Sequence, residues 1–489
     1  MPAAILLRNC LCSTRAVTSG AAEDQARARL SSAAARGAFL VDISNFKGNV
    51  RLWQDNWLAG LLALIAIFVL VHLANDYSSG LEFGWDARVN CAAIEAYANG
   101  LDPYYVKNLT GTNLSYPYLP VTLDVFRPLC ADGFLVRHFR GAYLVVAAAA
   151  ALLLPSFSFS RRSIREALLK FLYVFGGFVG FEWTFITGNF AIISGLLTTV
   201  ALALIFYGFS LREKNAKNGN SIACYTVGAA VFGLLTSIKV VFFPVLLSFY
   251  FFPLSRRRKI TLMIVASVCF IAPALTSLVF YHDLFSSWIE AISGRIPGQH
   301  SPASESCNPS LLCLGQSLSE SLGFIAPKLA GMLFYGLAAA LLVLGPLAAS
   351  VIRLVKQEYA SDDGSFLKKL DQLLIDNPRF ALRLTTLSMF ALYLCAPRLK
   401  EYAYFELAIY AAMLVVDLPA IGVAAVFVAA IVAPMLATGS PNAFVNTFGQ
   451  TIAAVFCFEI FLLDLYPSFG RLKGNGTAGI SPETRPLSA

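Results

Sequence analysis

The sequence predicts an all-α polytopic membrane protein with about twelve transmembrane helices and two large loops. Of its 489 residues, 57% are hydrophobic and only 13% are charged. Soluble domains carry about 25% charged residues, so this composition excludes an ordinary soluble globular protein. The apolar residues also occur in runs long enough to cross a hydrocarbon core about 30 Å thick as helix. Helical spans are therefore expected along most of the chain.

The apolar runs predict one transmembrane domain over residues 51–466. Arg-, Ala- and Ser-rich residues 1–50 lack the apolar core of a secretory signal, so they and residues 467–489 are expected to be disordered cytoplasmic tails. The predicted spans are 57–75, 141–158, 171–187, 190–209, 222–239, 241–254, 260–280, 328–351, 382–397, 403–418, 419–437 and 445–466.

Lysine and arginine predict the orientation of these spans. They concentrate in the segments 160–170, 211–220, 255–259 and 352–381. Basic loops of membrane proteins lie mostly in the cytoplasm, so these four segments are expected there. By the same reasoning, the net charge of +8 indicates membrane topology and not a nucleic-acid partner.

Two large loops, about 76–140 and 281–327, then face the non-cytoplasmic side. Apolar residues at helical spacing predict an interfacial helix in the first loop that stops at Gly100. A second interfacial helix is expected at about 119–130. Its short length and the presence of Asp124 and Arg127 argue against a true span.

Three carboxylates mark the first loop. Asp86 lies where the first interfacial helix begins, so it is either an N-cap or a general base held at the membrane face. Glu95 has the position of a solvated helix residue. Asp102, beside Pro103, is typical of a turn.

Five stretches resemble, in the correct order, the membrane glycosyltransferases of the C superfamily and, within it, glycosyltransferase family 87, which uses polyprenol-phosphate-mannose. They are "GLDPYYV" (100–106), "SYPYLPVTLDVFRPLC" (115–130), "ITGNFAIISGLLTTVALAL" (186–204), "GLLTSIKVVFFPVLLSFYFF" (233–252) and "CNPSLLCLGQSL" (307–318). The resemblance spans about residues 57–410. Asn189 stands where the family usually has Gln, and Pro309 also replaces a Gln. The stretch "APRLKEYAYFE" (396–406) stands where the family has Ser-Trp-Asp-His, so the sugar and the acceptor stay open.

The resemblance implies a glycosyltransferase C-type fold in the bacterial plasma membrane. It also implies transfer of a hexose, mannose by default, from a polyprenyl-phosphate donor to a hydroxyl of a lipid or glycan acceptor on the non-cytoplasmic face. The family's loop aspartate corresponds to Asp86 as general base. No metal and no other cofactor is expected, because the leaving group is already a phosphate anion. The alternatives are a transporter or flippase of lipid-linked sugars and a non-catalytic cell-envelope assembly protein.

Several further residues are expected to bind substrate. Lys239 ends a predicted span, where a cation either binds a lipid phosphate or reaches to the interface. Arg398 and Lys400 either clamp the phosphate or pair locally with Glu401. Glu182 either pairs with a cation or holds a sugar hydroxyl. By resemblance, the substrate-binding set also includes Tyr116, Tyr118, Asn189 and Asn308.

The loop cysteines allow disulfides on the non-cytoplasmic side. Cys91 and Cys130 lie in the first loop, and Cys307 and Cys313 in the second. Sequence alone leaves their pairing open.

Overall fold

A computed structural model describes residues 56–78, 83–157, 163–213, 218–296, 308–360, 364–467 and 469. All regular secondary structure in these ranges is helical. The α-helices are α1 Asn56–Ser78, α2 Trp85–Ala98, α3 Val121–Cys130, α4 Phe134–Leu153, α5 Ile164–Gly176, α6 Gly180–Thr187, α7 Ala191–Glu213, α8 Asn218–Ile238, α9 Arg256–Phe280, α10 His282–Ile292, α11 Leu311–Ser321, α12 Pro327–Ala338, α13 Gly345–Glu358, α14 Phe366–Asp376, α15 Pro378–Leu394, α16 Tyr404–Leu414, α17 Ala420–Phe427, α18 Ala433–Thr438 and α19 Ala443–Leu463. The predicted tail 1–50 lies outside the described residues, as does nearly all of 467–489.

Nine helical segments in the described part of the chain are long and apolar enough to cross a membrane. They are Trp57–Asn75, Val121–Leu153, Ile164–Thr187, Ala191–Arg212, Gly219–Ile238, Arg256–Phe280, Pro327–Glu358, Ala420–Thr438 and Ala443–Pro467. Each of the nine contains or overlaps a predicted span. The polytopic all-α class is therefore confirmed.

The other three predicted spans form shorter helices, so the count of twelve is not confirmed. Residues 241–254 contain the 3-10 helix Val240–Phe251, and the remaining two correspond to α15 and α16. Every residue of α16 is buried. A helix that is enclosed by other helices does not need the full apolar length of a lipid-exposed span.

The first predicted loop contains the two expected helices. Helix α2 ends at Ala98, and Gly100 has a left-handed φ of 74°, as expected for a glycine stop. Helix α3 is followed by a 3-10 turn over Ala131–Gly133, after which α4 begins at Phe134, seven residues before the predicted span. A disulfide joins Cys91 of α2 to Cys130 of α3, which is one of the pairings left open. Cys313 is also disulfide-bonded, while Cys307 lies outside the described residues.

Both large loops lie at one end of the helix bundle, here called the loop end. The indole Nε1 of Trp288 on α10 donates to the Pro117 carbonyl over 3.2 Å. The Val121 N–H donates to the Ser277 hydroxyl near the end of α9 over 3.2 Å. Helix α9 therefore runs toward the loop end.

The opposite end of α9 carries basic residues, and it is called the basic end. Lys259 there forms a 2.6 Å ion pair with Asp371 of α14. Two segments predicted to be cytoplasmic, 255–259 and 352–381, thus meet at the same end.

Candidate active site

Asp86 is the second residue of α2 and does not cap it. The N-cap position belongs to Gly84, whose φ is 78° and which provides no side chain. The Asp86 Oδ2 instead accepts a 2.7 Å hydrogen bond from the Asn189 amide nitrogen. The N-cap interpretation of Asp86 is therefore wrong. The carboxylate is placed in the first turn of a helix, where the helix dipole favours negative charge.

A close approach of two backbone segments fixes the start of α2. The Gly84 N–H donates to the Ile186 carbonyl of α6 over 2.8 Å. Gly188 follows α6 with a left-handed φ of 69°, and a Cβ there would lie 2.9 Å from the Ala87 Cβ. A side chain at Gly188 would push α2 away, because real Cβ atoms do not come so close. Glycine at this position therefore determines where Asp86 lies.

Asn189 uses its two amide atoms for two different partners. Its Oδ1 accepts the Ala191 N–H at 2.9 Å, which caps the start of α7. Its Nδ2 donates to Asp86. The cap holds the amide in one orientation, and this orientation presents the donor to the carboxylate.

Two lysines lie close enough to this carboxylate for their charges to lower its pKa. Lys239 is partly buried between α8 and the 3-10 helix Val240–Phe251, and its Nζ is 4.4 Å from the centre of the Tyr402 ring. Lys400 lies two residues before Tyr402, directly ahead of the 3-10 turn Glu401–Ala403. Asp86 is therefore in direct contact with Asn189, and the segment around Tyr402 carries Lys400 and contacts Lys239.

Burial and the neighbouring charges shift the pKa values of Asp86 and Lys239 in opposite directions. Burial raises the pKa of the Asp86 carboxyl above 3.8, while the hydrogen bond from Asn189 and the charges of Lys400 and Lys239 lower it. Burial lowers the pKa of Lys239 to about 8, and the carboxylates of Glu406 and Asp86 oppose that shift. Asp86 is consequently a stronger base than an exposed aspartate.

The segment that carries Lys400 is held tightly against α6. The Thr184 hydroxyl donates to the Tyr402 carbonyl at 3.3 Å. A Cβ on Gly180 would lie 2.2 Å from the Phe405 backbone nitrogen, so the two backbones are almost in contact.

The second loop also reaches this segment. The Ser310 hydroxyl donates to the Pro397 carbonyl over 3.0 Å, and the Tyr404 hydroxyl donates to the Pro309 carbonyl over 2.6 Å. These two contacts place Asn308, which precedes Pro309, beside the segment that carries Arg398. Asn308 and Arg398 are both partly exposed.

Tyr116 and Tyr118 belong to an aromatic cluster beside Asn189. The Tyr118 ring stacks on Phe190, the neighbour of Asn189, with ring centres 6.1 Å apart. The buried Tyr116 hydroxyl is 2.6 Å from the Thr122 hydroxyl. Tyr118 therefore forms a wall next to the site, and Tyr116 packs behind it with its hydroxyl already bonded.

Glu182 lies on α6 but points to α1. Its Oε2 is 3.3 Å from the Nδ1 of His72, and the Glu182 side chain is almost fully buried. This contact favours the pairing interpretation of Glu182 over a sugar contact, with His72 as the partner.

The other two carboxylates of the first loop have the positions that the sequence predicts. Glu95 is exposed on α2. The Asp102 Oδ1 accepts the Tyr104 N–H at 2.9 Å, which is the side-chain-to-backbone bond of an Asx turn.

Sequence reasoning missed Glu406. This side chain on α16 is only 6% exposed. Its two oxygens accept hydrogen bonds of 2.9 Å from Ser194 and Thr198 of α7 and from Tyr410. A carboxylate inside an apolar helix is itself a signal of function, and that signal was present in the sequence.

Comparison with known proteins identifies the family. Residues 116–365, just over half of the chain, match the model of glycosyltransferase family 87. The match covers Tyr116, Tyr118, Asn189, Lys239 and Asn308, whereas Asp86, Arg398, Lys400 and Glu406 lie outside it. No curated protein and no solved structure matches the chain. The chain belongs to glycosyltransferase family 87 and is a membrane glycosyltransferase.

Proposed function

We propose that the protein transfers a hexose, mannose by resemblance, from a polyprenyl-phosphate donor to an acceptor hydroxyl of a lipid or glycan. The observation that carries this proposal is one carboxylate, Asp86, that an amide orients and on which the charges of two lysines act. A base beside two cations is the combination needed to activate a hydroxyl and release a phosphate.

Asp86 acts as the general base in this proposal. It takes the proton of the acceptor hydroxyl while that oxygen attacks the anomeric carbon. The bond between the anomeric carbon and the phosphate oxygen breaks, and its electron pair leaves with polyprenyl phosphate. The raised pKa of Asp86 favours this proton transfer, because a base works best when its pKa approaches the working pH.

Lys239 and Lys400 stabilise the departing phosphate. Lys239 is held by the 4.4 Å contact of its Nζ with the Tyr402 ring, and Lys400 lies on the segment that is locked against α6. Fixed cations lower the barrier more than mobile ones, because they need no rearrangement when charge develops. Arg398, two residues before Lys400, extends this positive surface.

A lipid donor fits the position of these residues. They lie at the loop end of a helix bundle with nine segments, among the described residues, that are long enough to span a membrane. An isoprenoid tail needs an apolar environment, while its phosphate and sugar need a polar one. The basic residues at the opposite end support a cytoplasmic location for that end, and hence a non-cytoplasmic site in a bacterial plasma membrane.

The test is a transfer assay in membranes with a panel of polyprenyl-phosphate sugars. Asp86→Asn keeps the size of the side chain and removes the base, so transfer should fall by about 100-fold or more. Glu95→Gln is the matched control, because it removes an exposed carboxylate from the same helix.

Unchanged transfer by Asp86→Asn would remove Asp86 as base. If the parent protein transfers sugar from none of these donors, the proposed donor class is wrong. Movement of an intact lipid-linked sugar across the bilayer would then favour the transporter alternative.

A further inference from the structure

Asn90 is a buried polar residue on α2, the helix that carries Asp86. It is 2% exposed, and the other buried residues of α2 are apolar. Its amide nitrogen, Nδ2, has no hydrogen-bond partner in the part of the chain that the structure describes. A buried donor without a partner destabilises the folded protein, so its presence at this position calls for an explanation.

The helix geometry relates Asn90 to Asp86. The two residues are four positions apart, so their side chains lie on the same face of α2, one turn from each other. Helical side chains lean toward the N-terminus of their helix, which directs the Asn90 amide toward the turn that carries Asp86. Asp86 is partly exposed while Asn90 is buried, so Asn90 lies behind the carboxylate as a substrate would approach it.

The backbone of α2 is held on both sides of Asn90. The next residue, Cys91, is joined by a disulfide to Cys130 of α3. One turn earlier, Ala87 packs against Gly188. The backbone is thus fixed, whereas rotation about the last torsion of an asparagine side chain is broad. The Asn90 amide can therefore turn toward a ligand without movement of the helix.

The chemistry of the amide indicates which ligand it suits. An asparagine amide offers donors on its nitrogen and an acceptor on its oxygen. A sugar hydroxyl both donates and accepts, so it matches either end of the amide. An ionised phosphate oxygen only accepts, and it is better matched by cations such as Lys239 and Lys400. The neutral amide beside Asp86 therefore favours a hydroxyl as its partner.

We propose that Asn90 binds a ring hydroxyl of the sugar substrate beside Asp86 and thereby contributes to sugar selectivity. This inference rests on the proposed function. The hydroxyl belongs to the transferred hexose or to a glycan acceptor, since the two meet at Asp86 during transfer. A site built in this way rejects a sugar that lacks the hydroxyl, because the buried donor is then left unbonded.

The first test measures thermal stability and needs no substrate. Leucine has the same branching as asparagine, so Asn90→Leu replaces an unbonded amide with an apolar group of similar shape. Its Tm should equal or exceed that of the parent. The smaller Asn90→Ala guards against crowding by leucine. A Tm several degrees below the parent in both variants would show that the amide is bonded for structural reasons and would overturn the proposal.

The second test measures transfer from a polyprenyl-phosphate mannose. Asn90→Leu should lower kcat/KM by about 10-fold or more, because the sugar hydroxyl loses its hydrogen bond. Gln450→Leu is the matched control and should keep the parent kcat/KM. Gln450 lies on α19, and its Oε1 is likewise buried without a hydrogen-bond partner among the described residues.

The pH profile separates binding of the sugar from an effect on the base. Asn189, and not Asn90, is hydrogen-bonded to Asp86. The acid side of the profile of kcat against pH should therefore have the same midpoint in Asn90→Leu as in the parent. A shifted midpoint would mean that Asn90 acts on Asp86, and it would contradict the proposed contact with a sugar hydroxyl.

Deoxy sugars identify the hydroxyl. Polyprenyl-phosphate mannose donors and octyl mannoside acceptors, each lacking one hydroxyl, are compared in the parent and in Asn90→Leu. For one analogue the two proteins should have equal kcat/KM, because the hydrogen bond forms in neither. That analogue tells whether the hydroxyl belongs to the donor sugar or to the acceptor.

The possible failures are distinguishable. If Asn90→Leu loses the same factor in kcat/KM for every analogue, the substitution disturbs the site in general and the proposal is wrong. Transfer by Asn90→Leu at the parent rate also contradicts the role of Asn90, and leaves the proposed function intact. Absence of transfer by the parent from any of these donors contradicts the proposed function itself.

Discussion

Asn189 is the residue on which the site geometry most depends. It caps α7 with one amide atom and holds Asp86 with the other. A hydrogen bond to an ionised carboxylate stabilises the ionised form, and the bond from Asn189 accordingly lowers the pKa of Asp86 against the effect of burial. The hydrogen bond from Asn189 thus helps to set the lowest pH at which Asp86 is ionised and can act as a base.

Asn189→Ser should separate these two roles. Serine keeps an oxygen for the cap but is too short to reach Asp86. The pKa of Asp86 should rise, so more of it is protonated at a given acidic pH. The acid side of the profile of kcat against pH should therefore move to higher pH, while thermal stability changes little. If the acid side of the kcat profile has the same midpoint in Asn189→Ser as in the parent protein, Asn189 does not control the pKa of Asp86.

Single residues were predictable where the sequence carried a local signal. Asp86, Glu95 and Asp102 were distinguished by their positions relative to one short helix, and the structure places Glu95 and Asp102 as expected. Two partners of Glu406, Ser194 and Thr198, lie 212 and 208 positions away along the chain. Only the fold brings these side chains together, so the two hydrogen bonds could not be inferred from the sequence around Glu406.

Among the elements, α2 matters most, because its first turn carries Asp86. Two glycines near it have nearly the same backbone conformation but different surroundings. Gly188 has a φ of 69° and lies against Ala87 and Gly84, whereas Gly100 has a φ of 74° and has nothing within 4 Å of an added Cβ. Position 188 needs glycine both for its left-handed backbone conformation and for its lack of a side chain. Position 100 needs glycine for the backbone conformation alone.

Gly188→Ala and Gly100→Ala therefore form a matched pair. Each substitution forces alanine into the left-handed region, which costs about 1–2 kcal/mol. Only Gly188→Ala also pushes α2 and Asp86 away from Asn189. We expect kcat to fall by about 100-fold in Gly188→Ala, as for a displaced catalytic group, and to stay near the parent value in Gly100→Ala. Equal kcat in both variants would mean that α2 is not held in place by Gly188.

Hydropathy predicted the existence of the membrane-spanning helices better than it predicted their ends. Nine predicted spans correspond to long apolar helical segments. Hydropathy also detected the shorter helices α15 and α16, but α15 begins at Pro378, before its predicted span, and α16 has only 11 residues. Every residue of α16 is buried, so its length depends on packing around it, as at Gly180 and Phe405, and not on the bilayer.

At the scale of the whole molecule, the two ends of the bundle differ in chemistry. The basic end joins Lys259 to Asp371, and the loop end holds Asp86, Asn189 and the two lysines. Helix α9 connects the two ends, so the topology fixes them on opposite sides once the chain spans a membrane. The distribution of lysine and arginine then predicts which side is cytoplasmic.

Thiol labelling of intact cells tests this orientation. Glu95 is exposed at the loop end and Lys368 is exposed at the basic end. A maleimide that does not cross membranes should label Glu95→Cys before permeabilisation and Lys368→Cys only afterwards. The parent protein gives the background from its own cysteines. Labelling in the opposite order would place the site in the cytoplasm and contradict the proposed face of transfer.

The most direct test of the central claim is a structure, by electron cryo-microscopy, with an unreactive analogue of a polyprenyl-phosphate sugar. The proposed mechanism requires the phosphate to lie within about 4 Å of the Lys239 and Lys400 ammonium groups, the ordinary limit of an ion pair. The Asp86 carboxylate should face the anomeric carbon from the side opposite the phosphate. A phosphate bound at the basic end, or at the loop end with Asp86 turned away from the sugar, would exclude this mechanism.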